Sequence, residues 1–144
     1  MPPAEVVRTH WEGRGLDLSG WRMVDGSGLA RADFITPRAL ARLQYLASTG
    51  PNGAAYVGSL LTAYGGALHF KAGAMSAVRS LTGLIESQSG EILSFAFIVN
   101  HYSEASSVEA LQGELLGAMS VWGTEPVTEE PAAAEEAEEA DEPE

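Results

Sequence analysis

The chain is 144 residues long, 45% apolar, and carries 20 acids against 8 bases for a net charge of −12. That suits one modest globular domain and argues against a basic nucleic-acid surface. The lack of cysteine excludes disulfides and thiol chemistry, and no apolar run approaches the ~18 residues of a membrane span. Half of the acids and none of the bases fall between Glu125 and Glu144. Residues 1–124 are therefore close to neutral and form the expected folded domain. No nucleic-acid partner and no membrane span are expected.

The opening MPPAEVVRTHWEG lacks the basic end and apolar stretch of a signal peptide. Ala4–Gly13 reads as a short helix, with Val7 and Trp11 four apart on one face. A strand-like piece around Trp21 and Met23 leads into Asp25-Gly26-Ser27-Gly28, a tight turn whose Asp can cap its own backbone. Ser27 has no general base beside it and no G-x-S-x-G context, so a structural loop is preferred to a nucleophile. Thr36 as N-cap and Pro37 at the first helical position open a helix with Leu40, Leu43 and Leu46 on one face. Gly50-Pro51 closes it. A second helix is predicted over Gly53–Ala63, from the spacing of Tyr56 and Leu60.

Three strands follow. Leu68–Gly73 alternates in character; Ala77–Glu86 leads through the polar turn Ser87-Gln88-Ser89-Gly90 into Ile92–Val99. Ile92–Val99 is apolar on both faces, which predicts a strand in the middle of a covered sheet. The last helix opens near Ser106, with Glu109 three residues on as a capping box. Val108, Leu111, Leu115, Met119 and Trp122 form its apolar stripe, and Gly113 and Gly117 are expected to bring it close to the sheet. Residues 125–144 (EPVTEEPAAAEEAEEADEPE) form an acidic, low-complexity tail without aromatics, expected to be disordered.

Metal sites find no support, since His10, His69 and His101 are far apart and show no ligand spacing. No phosphate-binding glycine loop is present, and no cofactor is expected. Lys71 is the only lysine. It stands in an apolar strand, followed by Ala72 and Gly73, and His69 shares its strand face and a candidate groove. By itself, an edge-strand lysine that discourages strand pairing would explain it.

The segments GWRMVDGSGLARADFITPRALARLQYLA and LHFKAGAMSAVRSLTGLIESQSGEILSFAFIVNHY change that balance. Together they resemble the C-terminal part of the penicillin-binding-protein family of serine D-Ala-D-Ala carboxypeptidases/endopeptidases, over about Thr9 to Trp122. The resemblance rests on a DGSGL loop, a helix beginning near T-x-R-x-L, a K-T/S-G strand and a following hairpin. It implies an α/β (α+β) fold: an antiparallel three-stranded sheet with helices packed on it, part of a penicillin-binding-protein/β-lactamase-like transpeptidase fold. The implied chemistry is attack by the Ser of an S-x-x-K motif on a D-Ala-D-Ala peptide bond, assisted by an S-x-N motif. Lys71 matches the lysine of K-T-G, and Ala72 and Gly73 match its substrate-contacting positions, with His69 beside them.

Departures from the pattern bear on activity. Ala72 lacks the hydroxyl of Thr or Ser, Leu68 stands three before the only lysine, and no S-x-x-K or S-x-N occurs. The connection between Leu61 and Leu68 is also short for the family. The nucleophile is therefore expected upstream of Met1, and the chain is expected to be inactive alone. Implied partners are a peptidoglycan stem peptide or β-lactam, once the site is completed, and a complementing N-terminal fragment. In the family the absent strands pair beside the strand matching Ile92–Val99, which should leave an unsatisfied edge there. The alternative reading is a non-catalytic peptidoglycan-peptide or protein-interaction module. The resemblance implies a periplasmic or cell-surface location; a chain complete as it stands would be cytoplasmic.

Overall fold

A computed structural model describes residues 2–124. The expected acidic tail, 125–144, lies outside the described residues. Four helices and four strands follow in the order α1 (Pro3–Glu12), α2 (Pro37–Ser48), α3 (Gly53–Gly58), β1 (Leu61–Ala63), β2 (Leu68–Met75), β3 (Val78–Glu86), β4 (Ile92–Asn100) and α4 (Ala105–Ser120). The sheet is antiparallel throughout, in the order β1-β2-β3-β4. The α+β class is as expected, but the strand count is four. Helical pairing of Tyr56 with Leu60 does not carry past Gly58; Leu61–Ala63 instead pairs with Leu68–Phe70.

Strand alternation sorts the sheet into two faces. Leu68, Leu81, Ile85 and Phe95 lie on one, forming a buried cluster with Leu116 of α4. The opposite face carries His69, Lys71, Gly73 and Met75 of β2, with Ser80, Thr82 and Leu84 of β3. Helix α2 packs over this second face, against β3 and β4. A second apolar cluster of Leu16, Leu18 and Ala39, flanked by Trp11 and Trp21, ties α1 and the following segment to α2.

The middle strand is β3, not Ile92–Val99. Leu81, Thr82, Gly83, Leu84 and Ile85 are all buried in sequence. Strand β4 lies at the sheet's end, and among the described residues no strand pairs with its outer edge. Apolarity on both faces of β4 reflects helices above and below it, which says nothing of neighbours in the plane of the sheet.

Local signals held where they were strongest. The Thr36 hydroxyl accepts from the Ala39 amide at 3.1 Å, and Pro37 occupies the first turn of α2. The hairpin between β3 and β4 closes through Gly90, whose amide donates to the Ser87 carbonyl at 2.9 Å. Helix α4 departs from expectation. Glu104, rather than Ser106, is its N-cap, with no side-chain capping bond, so the capping box does not form. Its buried residues are Val108 and Leu116, while Leu111 is 52% exposed. Gly113 and Gly117 face open space, so they do not bring the helix onto the sheet.

Candidate active site

Strand β1 pairs with β2 only as far as Phe70, opposite Leu61. From Lys71 to Met75, β2 therefore borders the sheet's other open flank among the described residues. Lys71 sits where the pairing stops, opposite Thr82 of β3. Its side chain is exposed, and its ammonium donates to the Ala72 carbonyl at 2.6 Å. No carboxylate holds it among the described residues. An exposed ammonium at a free strand edge can meet an anionic group without first breaking an ion pair.

Ala72 lies on the opposite face of the sheet from Lys71 and Gly73, so its part here is the carbonyl that receives the lysine. Gly73 stands opposite Ser80. A β-carbon on Gly73 would lie 2.5 Å from the Ser80 hydroxyl oxygen, which gives the glycine a reason within the sheet itself.

Beyond Gly73 opens a groove of about 520 Å³. Its sheet wall includes Gly73, Met75 and Ser80, and its opposite wall includes Gly28, Arg31 and Phe34. The two sequence segments that carried the resemblance thus meet across one concavity. The DGSGL loop is held rigidly for this. The Asp25 carboxylate accepts from the Ser27 amide at 2.9 Å, from the Ser27 hydroxyl at 3.0 Å and from the Gly28 amide at 3.2 Å. Asp33 accepts from the Val24 amide at 2.6 Å, and a backbone bridge between Arg22 and Phe34 closes the base. The Ser27 hydroxyl is spent on Asp25, in keeping with a structural turn.

His69 does not join this groove. It lines a separate cavity of about 370 Å³ between α2 and the sheet, with Tyr45, Leu84 and Ile92. Its Nδ1 is buried without a hydrogen-bond partner. The sharing of a groove with Lys71, expected from their common face, is therefore not observed: Lys71 lines neither concavity, and two residues further along, at Gly73, β2 lines the larger one. His101 is exposed at the rim of the larger groove, its backbone in the left-handed region at φ 58°. Among the described residues no group of three or more His, Asp or Glu could hold a metal ion, and no helix is long and apolar enough to cross a membrane.

The family model of D-Ala-D-Ala carboxypeptidase 3 (S13) matches residues 3–117. The chain belongs to this family. Among solved structures, this S13-family chain resembles penicillin binding protein 4 of Haemophilus influenzae complexed with a β-lactam, at 16% identity and a TM-score of 0.73. The match covers 81% of this chain and 32% of that one. A second structure of the same Haemophilus influenzae protein matches at 19% identity and TM-score 0.68, covering 78% and 31%. The S13-family chain thus shares their fold and spans about a third of their length. No curated protein matches it.

Sequence reading missed Ser80 as a groove residue. Its signal was available: a two-residue turn, Ser76-Ala77, between Met75 and Val78 fixes the register that puts Ser80 opposite Gly73.

Proposed function

We propose that this chain forms the cationic, substrate-aligning side of a serine D-Ala-D-Ala carboxypeptidase acting on peptidoglycan peptides. The observation that carries this reading is the groove in which the DGSGL loop, at Gly28, faces Gly73–Met75 of the strand whose Lys71 stands where its edge becomes free. Lys71 supplies positive charge where a peptide carboxylate and developing negative charge would lie. The Gly73–Met75 stretch offers backbone to an extended peptide laid along the edge.

No S-x-x-K or S-x-N occurs in the 144 residues. The attacking serine and its lysine therefore come from polypeptide that carries those motifs, and this chain alone does no acyl chemistry. The outer edge of β4 is the seat for that polypeptide, which covers it with a strand. Residues 1–124 act as the enzyme's C-terminal part, and the family resemblance supports a periplasmic or cell-surface setting for the completed enzyme.

The test is acylation by a labelled penicillin. Label should enter covalently only when a fragment bearing S-x-x-K and S-x-N is supplied, and Lys71→Ala should lower the labelling rate at least tenfold. Labelling of this chain by itself would overturn the proposal. The lack of a nucleophile in the sequence also favours a second reading, a non-catalytic binding module: it expects weak binding of a peptidoglycan peptide by the chain alone, lost in Lys71→Ala, and no acylation with any fragment.

A further inference from the structure

The smaller cavity, under α2, has an ordered floor. His69, Leu84 and Ser94 stand directly opposite one another on β2, β3 and β4, so their side chains form one row across one face of the sheet. Two interstrand spacings put the ends of that row about 10 Å apart. Leu84 is thus an apolar floor between a histidine and a serine. Glu86 and Ile92 form the next row on the same face. Ile92 is 61% exposed, so this floor continues into uncovered apolar surface. Tyr45 of α2 and Val57 of α3 wall the cavity, and its volume of about 370 Å³ suits a ligand of one or two rings.

The polar groups here are acceptors. His69 Nδ1 is buried without a hydrogen-bond partner. A buried N–H with nothing to donate to is the rarer arrangement, which makes Nδ1 the bare, accepting nitrogen. Glu86 lines the cavity, is exposed, and has no ion-pair partner among the described residues. His69 and Glu86 are diagonal neighbours across β2 and β3, with Cα atoms roughly 7–8 Å apart by the geometry of such pairs. One nitrogen placed between them can serve both. The Ser48 and Thr49 hydroxyls are already committed to the Tyr45 carbonyl, at 2.9 and 2.8 Å. No lysine or arginine lines the cavity; Arg42 stacks at 4.8 Å from the centre of the Tyr45 ring, outside the lining.

We propose that this cavity binds an aromatic amine. Its flat apolar body lies on Leu84 and Ile92, and its ammonium donates to His69 Nδ1 and faces the Glu86 carboxylate, because charge-assisted hydrogen bonds are the stronger kind. A small turn of the imidazole presents Nδ1 to the ligand. The preference for a cation is opposite to that of the Lys71 edge, and the proposal does not rest on how that edge is read.

NMR titration of the chain with tryptamine, indole and indole-3-acetate tests this. Tryptamine should bind with a Kd of about 1 mM or tighter, as a ligand of its size allows, and the shifts should gather at the amides of Leu84, Ile92 and Ser94. Indole should bind several-fold more weakly, and indole-3-acetate more weakly still. Glu86→Gln, an exposed change, should weaken tryptamine binding roughly two- to fivefold and leave indole binding unchanged. His69→Phe should weaken tryptamine binding about tenfold. Ser94→Phe should fill the space above the floor and remove binding of all three, and its spectrum reports directly whether it folds. Shifts confined to Gly73–Met75, equal binding of tryptamine and indole-3-acetate, or undiminished tryptamine binding by His69→Phe or by folded Ser94→Phe would each overturn the proposal. So would the absence of saturable shifts up to about 10 mM tryptamine.

Discussion

Arg8 of α1 holds Trp21 by two contacts at once: its guanidinium lies 4.9 Å from the centre of the indole ring, and its Nη2 donates to the Trp21 carbonyl at 2.8 Å. A third bond, to the Leu18 carbonyl at 3.3 Å, fixes the intervening turn. Helix α1 has no fully buried residue, so this side chain shares the docking with Trp11, which packs on the Leu16, Leu18 and Ala39 cluster. Arg8→Ala should lower stability by about 1–2 kcal/mol. Arg8→Lys should recover less than half, because a lysine cannot keep the planar stack and the fork of donors together. Thermal unfolding of the two variants measures it; equal melting temperatures for Arg8→Lys and wild type would contradict the account.

Gly83 faces Phe70 across the β2–β3 pair, and a β-carbon there would overlap the His69 carbonyl oxygen and crowd the Phe70 Cα. The obstacle is backbone, which cannot swing aside. Gly83→Ala should cost about 1–3 kcal/mol and shift the β2 amide resonances that border the groove. Gly113→Ala in α4 should instead be neutral or stabilising by up to about 1 kcal/mol, since that glycine faces open space in a helix. Chemical denaturation of both variants gives the contrast in sign.

Tyr56 is half-buried and its hydroxyl donates to Gln44 Oε1 at 2.5 Å. Burial raises its pKa above the ordinary value of 10.0. A group that holds its proton more tightly when folded contributes stability that is complete below the unfolded pKa and is lost as pH rises through the folded one. Stability should therefore fall on the alkaline side of about pH 10. Tyr56→Phe should flatten that alkaline fall while costing about 1–3 kcal/mol at neutral pH, because buried Gln44 is left without its partner. An unfolding series from pH 8 to 11 reads both effects.

Amide exchange should report the sheet order directly. The amides of Leu81–Ile85 in β3 are flanked by strands on both sides and should exchange slowest. Alternate amides of β4 point to the edge that no strand among the described residues pairs with, and should exchange many times faster than their neighbours. Uniform protection along β4 in a monomer would refute the topology.

What the sequence discloses here depends on how local the cause is. Thr36-Pro37 announces α2 because the cap is made by the residues that spell it. Gly90 marks its hairpin for the same reason. Strand β1 is three residues long and has no pattern of its own; Leu61–Ala63 is a strand because Leu68–Phe70 lies beside it. The rank of β4 in the sheet is equally non-local. In α4, Val108 and Met119 of the expected stripe do meet the core, but tertiary packing buried Leu116 and left Leu111 and Trp122 exposed. Resemblance pointed to Lys71 and Gly73 as candidates, but nothing in the sequence signalled that His69 lines a different hollow from Gly73. Two residues on one strand face can still open into different hollows when a helix, α2, packs over one of them and a loop over the other.

The nine residues of β4 hold neither lysine nor proline, and Ile92 at their start is 61% exposed. Such a rim lacks the usual guards against haphazard annealing between molecules. We expect the purified chain to cloud or gel as it is concentrated, and a lysine placed at Ala96 or Ile98 to keep it clear; light scattering against concentration would show whether that rim governs its colloidal behaviour.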